Sequence, residues 1–234
     1  PMALGHEATG IVEALGDPDQ PGIAVGDRVI LAFLPACGDC IRCRTGEAYL
    51  CAAGTAANGE GRLLRGGCRL HDHGEEVKHH LGVSAFATHA VVDCRSAVKV
   101  DRDLPPEIAA LFGCAVLTGV GAVLNSGRLR AGESVVIYGL GGVGLAALLG
   151  ALAGGGAPII AIDPSDEKRQ IASELGAIAV TPETASAAIT QTFPDGGADL
   201  VIETVGKAAV LRAAYGAARR GGRIVTVGLP NASE

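Results

Sequence analysis

The sequence has no tryptophan, and aromatic residues make up only 3% of its 234 residues. A folded core must therefore come from aliphatic side chains, which the 48% hydrophobic share supplies. Runs of basic residues are also missing, and the formal net charge is -6. Because no basic patch is present to attract phosphate groups, we expect neither nucleic acid nor an anionic membrane surface as a partner.

Long apolar runs are absent as well. The most apolar stretch, residues 135–162, is interrupted by glycines and a proline, so it lacks the continuous apolar run of ~18 residues that a membrane span needs. The first residues lack the basic and apolar regions of a secretory signal. The sequence thus predicts a soluble protein with no membrane partner, and the cytoplasm is its expected location.

Glycine and cysteine are abundant. The 35 glycines follow no three-residue period, which excludes a collagen-like chain. Cysteine occurs seven times, an odd number, and four of the seven lie within residues 37–51. Such crowding is typical of metal binding in a reducing compartment rather than of a disulfide framework.

Two kinds of pattern divide the chain into predicted domains at residues 1–117 and 118–234. The first contains short β-strand signals at 8–13, 28–33 and 86–92, separated by glycine-rich polar segments. The second alternates aliphatic strands with helices, which predicts an α/β fold with a doubly wound parallel sheet. Its predicted strands are 134–138, 159–163, 179–181, 200–204 and 223–228, and its predicted helices are 142–153, 166–175, 183–192 and 207–219.

A glycine-rich fingerprint ends the first of these strands and begins a helix. Its residues are Gly139, Leu140, Gly141, Gly142, Val143 and Gly144. In G-x-G-x-x-G, the first glycine allows a tight turn, the second allows a pyrophosphate to approach, and the third allows close packing of helix and strand. Asp163 ends the next strand, where a carboxylate binds ribose hydroxyls and repels a 2'-phosphate, so NAD is favoured over NADP. A flavin, S-adenosylmethionine or an empty strand-to-helix turn are the alternatives.

The cysteine cluster has the spacing C-x2-C-x2-C-x7-C. Its members are Cys37, Cys40, Cys43 and Cys51. Four thiolates close a tetrahedral shell around one ion, which is the form of a structural zinc site. An iron–sulfur cluster and unliganded thiols remain alternatives, although the C-P ending of one ferredoxin pattern is absent.

Two further segments complete an ordered set of motifs. Residues 5–13 read G-H-E-A-T-G-I-V-E, and residues 113–123 read G-C-A-V-L-T-G-V-G-A-V. Together with the cysteine cluster and the glycine fingerprint, they resemble the zinc-dependent medium-chain alcohol dehydrogenases, particularly the liver-type and class III-like subgroup. The resemblance covers essentially the whole chain. It implies a partial, mostly β GroES-like catalytic domain followed by an NAD-binding Rossmann domain.

The resemblance also implies roles for individual residues. His6 and Cys114 match ligands of a catalytic zinc, which together with the structural zinc makes two in the family, and Glu7 matches an acidic residue behind the catalytic ion. Phe33 matches the substrate pocket, and Thr118 matches a position beside the nicotinamide. Further cofactor contacts are implied for Lys168, at the adenosine ribose, and for Val205, Val227 and Leu229, at the nicotinamide.

The implied activity is hydride transfer between a zinc-bound primary or secondary alcohol, or the corresponding aldehyde or ketone, and NAD. The alternatives are a glutathione-linked formaldehyde (S-hydroxymethylglutathione) dehydrogenase and a non-catalytic protein that binds NAD and zinc. Family members form homodimers or homotetramers, and their first zinc ligand is a cysteine that would precede residue 1. We therefore expect residues 1–234 to hold the catalytic zinc weakly. The remaining histidines, His71, His73, His79, His80 and His89, are expected to be solvated.

Overall fold

The computed structural model describes residues 1–16 and 22–230. They form two compact units, Pro1–Cys114 and Ala115–Glu234. No single helix in these ranges is long and apolar enough to cross a membrane. One pair of helical segments reaches the necessary length and apolar composition only when the two are counted together: Pro106–Gly113 and Ala115–Ser126.

The first unit contains two small sheets. One is antiparallel with the order β2 (Ala8–Ile11), β3 (Arg28–Leu31) and β6 (Ala97–Lys99). The other has the order β1 (Met2–Ala3), β5 (Glu75–His79) and β4 (Leu70–Asp72). The helices are α1 (Ile41–Arg44), α2 (Ala52–Glu60) and α3 (Pro106–Ala109), with short 3-10 turns at Ala48–Leu50, Cys94–Ser96 and Ala110–Gly113. The small core of this unit centres on Val29, Leu31 and Val83.

The strand predicted at residues 86–92 is wrong. In this segment only the amide of Phe86, which donates to the Leu4 carbonyl oxygen at 3.0 Å, has a backbone bond to a described neighbour. The Phe86 side chain is 83% exposed and Val91 is 50% exposed. A run of strand-favouring residues becomes a strand only when another strand lies beside it, and the described residues provide none here.

The second unit is built on five parallel strands. Their spatial order is β11 (Ala218–Thr226), β10 (Ala198–Glu203), β7 (Val135–Tyr138), β8 (Ile159–Ile162) and β9 (Ile178–Val180). The helices are α4 (Ala115–Gly121), which continues as a π-helical turn at Ala122–Ser126, α5 (Gly142–Ala153), α6 (Asp166–Glu174), α7 (Ala185–Thr192) and α8 (Ala208–Ala217). The predicted parallel α/β sheet is therefore confirmed.

Aliphatic residues on both faces of this sheet explain why it is buried. One face packs Val135 and Ile137 against α5, and the other packs Val136 and Ile160 against α7 and α8. All four residues of β7 and of β8 are buried. Uninterrupted apolar strands are typical of parallel sheets that are covered on both sides by helices. The sequence did not indicate α4, which packs against α5 through Gly119, where a Cβ would lie 2.3 Å from the Val143 carbonyl oxygen.

A half-buried carboxylate ties the amino-terminal edge of this sheet together. Asp199 accepts hydrogen bonds from the Ser134 backbone N–H at 2.8 Å and hydroxyl at 2.7 Å, and from Arg219 Nε at 2.7 Å. Burial by itself would raise the pKa of Asp199, but these donors outweigh it and lower the pKa from 3.8 to about 2. The carboxylate therefore stabilises the fold above pH ~4, and this contribution is lost as the pH falls toward 2.

We expect Asp199→Asn to lower the free energy of unfolding at pH 7 by about 1–2 kcal/mol. The loss should shrink as the pH falls toward 2, because the wild-type carboxylate is then protonated too. Urea titrations of both proteins between pH 2.5 and 7 measure the difference. A loss that stays constant across this range would contradict the assigned ionic role.

Candidate functional site

Four cysteine side chains of the first unit converge on one point. The Sγ atoms of Cys37, Cys40, Cys43 and Cys51 all lie within 4.8 Å of one another. Cys43 Sγ lies 3.5 Å from Cys40 Sγ and 3.9 Å from Cys37 Sγ. A tetrahedron of Zn–S bonds of ~2.3 Å has edges of about 3.8 Å, so the cluster fits a zinc ion.

Backbone N–H groups favour the thiolate form of Cys51. Cys51 Sγ accepts hydrogen bonds from the Cys37 N–H at 3.3 Å and the Gly54 N–H at 3.4 Å. Burial of Cys51 acts to raise its pKa, but these donors lower it to about 6. Gly54 is required for the approach, because a Cβ there would lie 2.0 Å from the Pro35 carbonyl oxygen. Thiolates are the form that binds a metal.

His6 and Cys114 meet elsewhere in the same unit. His6 Nε2 lies 3.3 Å from Cys114 Sγ, although 108 positions separate the two residues. Glycine precedes each of them and allows close packing: a Cβ on Gly5 would lie 2.7 Å from the Phe86 nitrogen, and one on Gly113 would lie 2.2 Å from the Leu31 carbonyl oxygen. A nitrogen and a sulfur ligand at this distance fit a shared zinc ion.

Aromatic rings surround His6. The Phe33 ring lies 5.8 Å from the His6 ring, edge to face, and the Phe33 carbonyl oxygen accepts from Asn58 Nδ2 at 2.7 Å. The His80 ring also lies edge to face with the His6 ring, with the ring centroids 5.2 Å apart. The contact between His80 and His6 was not predicted, because His80 follows β5 and reaches His6 only in the folded chain.

The expected solvation of His79 is also wrong. His79 is fully buried, and its Nε2 accepts a hydrogen bond from the Arg69 N–H at 3.1 Å. Burial and the nearby Arg69 charge lower the pKa of His79. Its burial follows from pairing of β1 with β5, in which His79 lies opposite Ala3.

In the second unit, the glycine fingerprint forms the turn between β7 and α5. Gly139 has a φ of +89°, which favours glycine, and the Leu140 N–H donates to Asp163 Oδ2 at 2.8 Å. Gly141, Gly142 and Val143 begin α5 at its amino-terminal end. A Cβ at Gly141 would meet no atom within 4 Å, so the turn leaves space there for a phosphate, as an NAD pyrophosphate requires.

Asp163 lies next to this turn, where β8 ends. It is 6% exposed, and its Oδ1 accepts from the Ser165 N–H at 2.9 Å. Lys168 Nζ lies 4.0 Å from Asp163 Oδ2. A cavity of about 780 Å³ is lined by Gly139, Gly141, Asp163 and Lys168 among others. The structure therefore brings the fingerprint, the carboxylate and the lysine to one cavity.

The loops after β10 and β11 touch each other at the same edge of the sheet. A Cβ on Gly206 would lie 2.4 Å from the Leu229 carbonyl oxygen, and one on Gly139 would lie 2.8 Å from Val205 Cγ2. Val227 follows β11 and donates its N–H to the Glu203 carbonyl oxygen at 2.9 Å. Val205, Val227 and Leu229 thus gather beside the fingerprint. Thr118 lies in α4 next to Gly119, which contacts Val143.

Glu203 accepts hydrogen bonds from the residues of these loops. The sequence did not predict a role for it. Its side chain is fully buried, and its Oε1 accepts from the Val205 and Gly206 N–H groups, both at 2.7 Å. Its Oε2 accepts from the Thr226 hydroxyl at 2.6 Å. An acidic residue at the end of a predicted strand was the available signal, but its partners are defined only by the folded loops.

We expect Glu203→Gln to lower NADH affinity by about fivefold, because charge-assisted bonds to the loop amides become neutral ones. Fluorescence titration with NADH measures the change. The control Thr226→Val removes only the hydroxyl donor and should have an effect below about twofold. Equal effects of the two variants would show that the loop amides do not depend on the Glu203 charge.

Comparison with known proteins gives two family matches. Residues 1–102 match the alcohol dehydrogenase GroES-like domain, and residues 142–234 match the zinc-binding dehydrogenase family. The chain is 36% identical to an S-(hydroxymethyl)glutathione dehydrogenase from Saccharomyces cerevisiae, covering 100% of this chain and 63% of that protein.

Solved structures show the same similarity. An alcohol dehydrogenase zinc-binding domain protein from Burkholderia ambifaria superimposes with a TM-score of 0.92 at 36% identity. Benzyl alcohol dehydrogenase from Acinetobacter calcoaceticus has a TM-score of 0.87 at 34% identity. All of this chain and 64% of each of those chains are covered. The chain therefore spans somewhat less than two thirds of the length of these relatives.

Proposed function

Because the chain belongs to the zinc-dependent medium-chain alcohol dehydrogenase family, we propose that it is the part of an NAD-dependent alcohol dehydrogenase that holds both cofactors. The observation that carries this proposal is the 3.3 Å contact between His6 Nε2 and Cys114 Sγ. A zinc-free dinucleotide-binding protein has no need of these two ligand types at one point. The reaction would interconvert a primary or secondary alcohol and its aldehyde or ketone.

For NAD, we assign the pyrophosphate to the backbone amides of Gly141, Gly142 and Val143 at the start of α5. Leu140 donates to Asp163 and so holds this carboxylate beside the turn. Asp163 accepts hydrogen bonds from the ribose hydroxyls and disfavours the 2'-phosphate of NADP. Lys168 adds a donor on the same side. Gly139 and Gly144 belong to the same site and shape its turn.

For the nicotinamide, we assign the contacts to the loops held by Glu203 and to α4. Val205, Val227 and Leu229 present backbone groups and aliphatic side chains, which orient the ring and its carboxamide. Thr118 supplies a hydroxyl from α4. Orientation of this kind is the protein's main contribution to hydride transfer, because the cofactor itself accepts the hydride.

For zinc, we assign His6 and Cys114 as ligands of a catalytic ion and the four cysteines of residues 37–51 as ligands of a structural ion. When bound, catalytic zinc supplies a Lewis acid that lowers the pKa of an alcohol hydroxyl. Glu7 places a negative charge next to His6 in the chain. Phe33 gives the alcohol an aromatic wall beside His6.

The test is an NADH absorbance assay of the full-length protein to which this chain belongs, with benzyl alcohol, ethanol and S-hydroxymethylglutathione as substrates, with and without a zinc chelator. We expect chelator-sensitive NADH formation that falls at least about a hundredfold in His6→Ala. NADH binding, measured by fluorescence, should be unchanged in this variant. A protein that binds NADH and zinc but oxidises none of the alcohols would support the non-catalytic alternative, and a preference for S-hydroxymethylglutathione would support the glutathione-linked one.

We also propose a cytoplasmic location and a homodimeric or homotetrameric assembly. None of the seven cysteines is in a disulfide, which suits a reducing compartment. Sedimentation of the purified protein tests the assembly, and cell fractionation tests the location.

A further inference from the structure

The cavity that holds the dinucleotide residues continues beyond them. It runs between α7 and α8 over Tyr138 and reaches Thr190, Gly196 and Gly216. Gly196 precedes β10 and Gly216 lies in the last turn of α8, so this end lies toward the amino-terminal edge of the parallel sheet. Asp163 follows β8, and Lys207 precedes α8 at the opposite, carboxyl edge. The cavity therefore extends along the helices, away from the groups assigned to NAD.

Charge is confined to one end of this cavity. Its charged lining residues are Asp163, Lys168 and Lys207, all at the carboxyl edge of the sheet. Both Asp163 carboxylate oxygens already accept backbone N–H groups, from Leu140 and Ser165. Beyond them, the described lining residues between α7 and α8 are uncharged. An occupant that suits both ends has an anionic head and an apolar tail.

Small residues keep the space between the helices open. Ala209, Ala213 and Gly216 repeat at helical spacing along one side of α8 and line the cavity, and all three are exposed. Ile189 and Val210 add branched apolar surface, and Ile162 lies on the floor of the cavity. The groove thus offers apolar contact along most of its length.

We propose that this groove binds medium-chain carboxylates, with the carboxylate at Lys207 and Lys168 and the alkyl chain between α7 and α8. Seven residues separate Ala209 from Gly216, which is about 10 Å along the helix. In an extended zigzag chain each C–C bond of ~1.5 Å advances about 1.3 Å, so a chain of about eight to nine carbons covers this length. Because Lys168 also lies in the site assigned to the ribose, a bound carboxylate competes with NAD.

The experiment is calorimetric titration of the 234-residue chain with butyrate, hexanoate, octanoate, decanoate and dodecanoate. We expect affinity to rise about twofold for each added methylene up to octanoate and then to level off, because the groove ends there and buries each methylene only in part. Saturating NADH should weaken octanoate binding at least about tenfold. Octylammonium should bind at least about tenfold more weakly than octanoate, because Lys207 repels it.

Two matched leucine variants locate the site. Ala213→Leu fills the groove and should abolish the rise in affinity from butyrate to octanoate. Ala187→Leu places the same side chain on an exposed position of α7 outside the cavity and should leave the gain intact. NADH binding by both variants shows that the second unit is folded, and Lys207→Met should weaken all carboxylates alike.

Affinity that is independent of chain length, or that keeps rising through dodecanoate, would overturn the proposal, as would equal binding of octylammonium. A gain that survives Ala213→Leu would place the tail elsewhere and also overturn it. The carboxylate series needs neither zinc nor an alcohol. Its outcome is therefore separate from that of the proposed dehydrogenase activity.

Discussion

Cys43→Ser is expected to release the structural zinc. Cys43 Sγ lies within 3.9 Å of two other thiol sulfurs, so it occupies one corner of the four-sulfur cluster. A structural zinc ion stabilises the surrounding protein segment through all of its ligands. A serine hydroxyl is a far weaker ligand than a thiolate at neutral pH. We expect zinc affinity at this cluster to fall by at least about a hundredfold.

Loss of the ion should also loosen the segment from Cys37 to Cys51. Within it, the described regular elements are α1 and a single 3-10 turn, and α1 contains no buried residue. An irregular segment with so little apolar burial depends on the metal for its order. Hydrogen exchange of this segment, together with zinc content by mass spectrometry, measures both effects.

Cys94→Ser is the matched control. Cys94 is also a half-buried cysteine of the first unit that forms no disulfide, but it lies outside the cluster. Its replacement should leave the zinc content unchanged. Full zinc content in Cys43→Ser would contradict the assignment of the cluster as a metal site.

Gly144→Ala is expected to lower both the stability of the second unit and its affinity for NADH. A Cβ at this position would lie 1.8 Å from the carbonyl oxygen of Gly139 and 2.8 Å from its carbonyl carbon. These are backbone atoms of the turn itself, so no side-chain rotation relieves the overlap, and α5 must move away from β7. We expect the free energy of unfolding to fall by about 3 kcal/mol, at the upper end of overpacking effects.

The same movement displaces the amides at the start of α5. NADH affinity should therefore fall together with stability, and urea unfolding with NADH titration measures the two effects. Gly216→Ala is the control, because it is also a helical glycine but a Cβ there would meet no atom within 4 Å. It should raise stability by about 0.5–1 kcal/mol through helix propensity. A destabilising effect of both variants would show that the clash is not the cause.

The sequence predicted those parts of the fold that depend on local patterns. Helix α5 begins and ends at the predicted residues, because a glycine turn starts it and an aliphatic run continues it. The four cysteines are similarly local, since they lie within one short segment whose spacing suits a single ion. In these places the physical requirement, a close turn or a tetrahedral shell, is met by neighbours in the chain.

Non-local pairing decided the rest. Residues 86–92 include the aromatic and β-branched residues that favour a strand, but no described strand pairs with them. His79 and His80 were expected in solvent, whereas pairing of β1 with β5 buries the first and places the second against His6. In each case the pattern is compatible with two environments, and the choice depends on which distant segment lies alongside.

The sequence by itself therefore determined the chemistry of this protein: the thiolate cluster, the glycine turn, and the carboxylate that follows the next strand. The tertiary structure decided which residues act together. It brought His6 within 3.3 Å of Cys114, placed Glu203 under the loops beside the fingerprint, and opened the groove between α7 and α8. These features depend on packing between segments far apart in the chain, and the free energy of such contacts is not encoded in any local pattern.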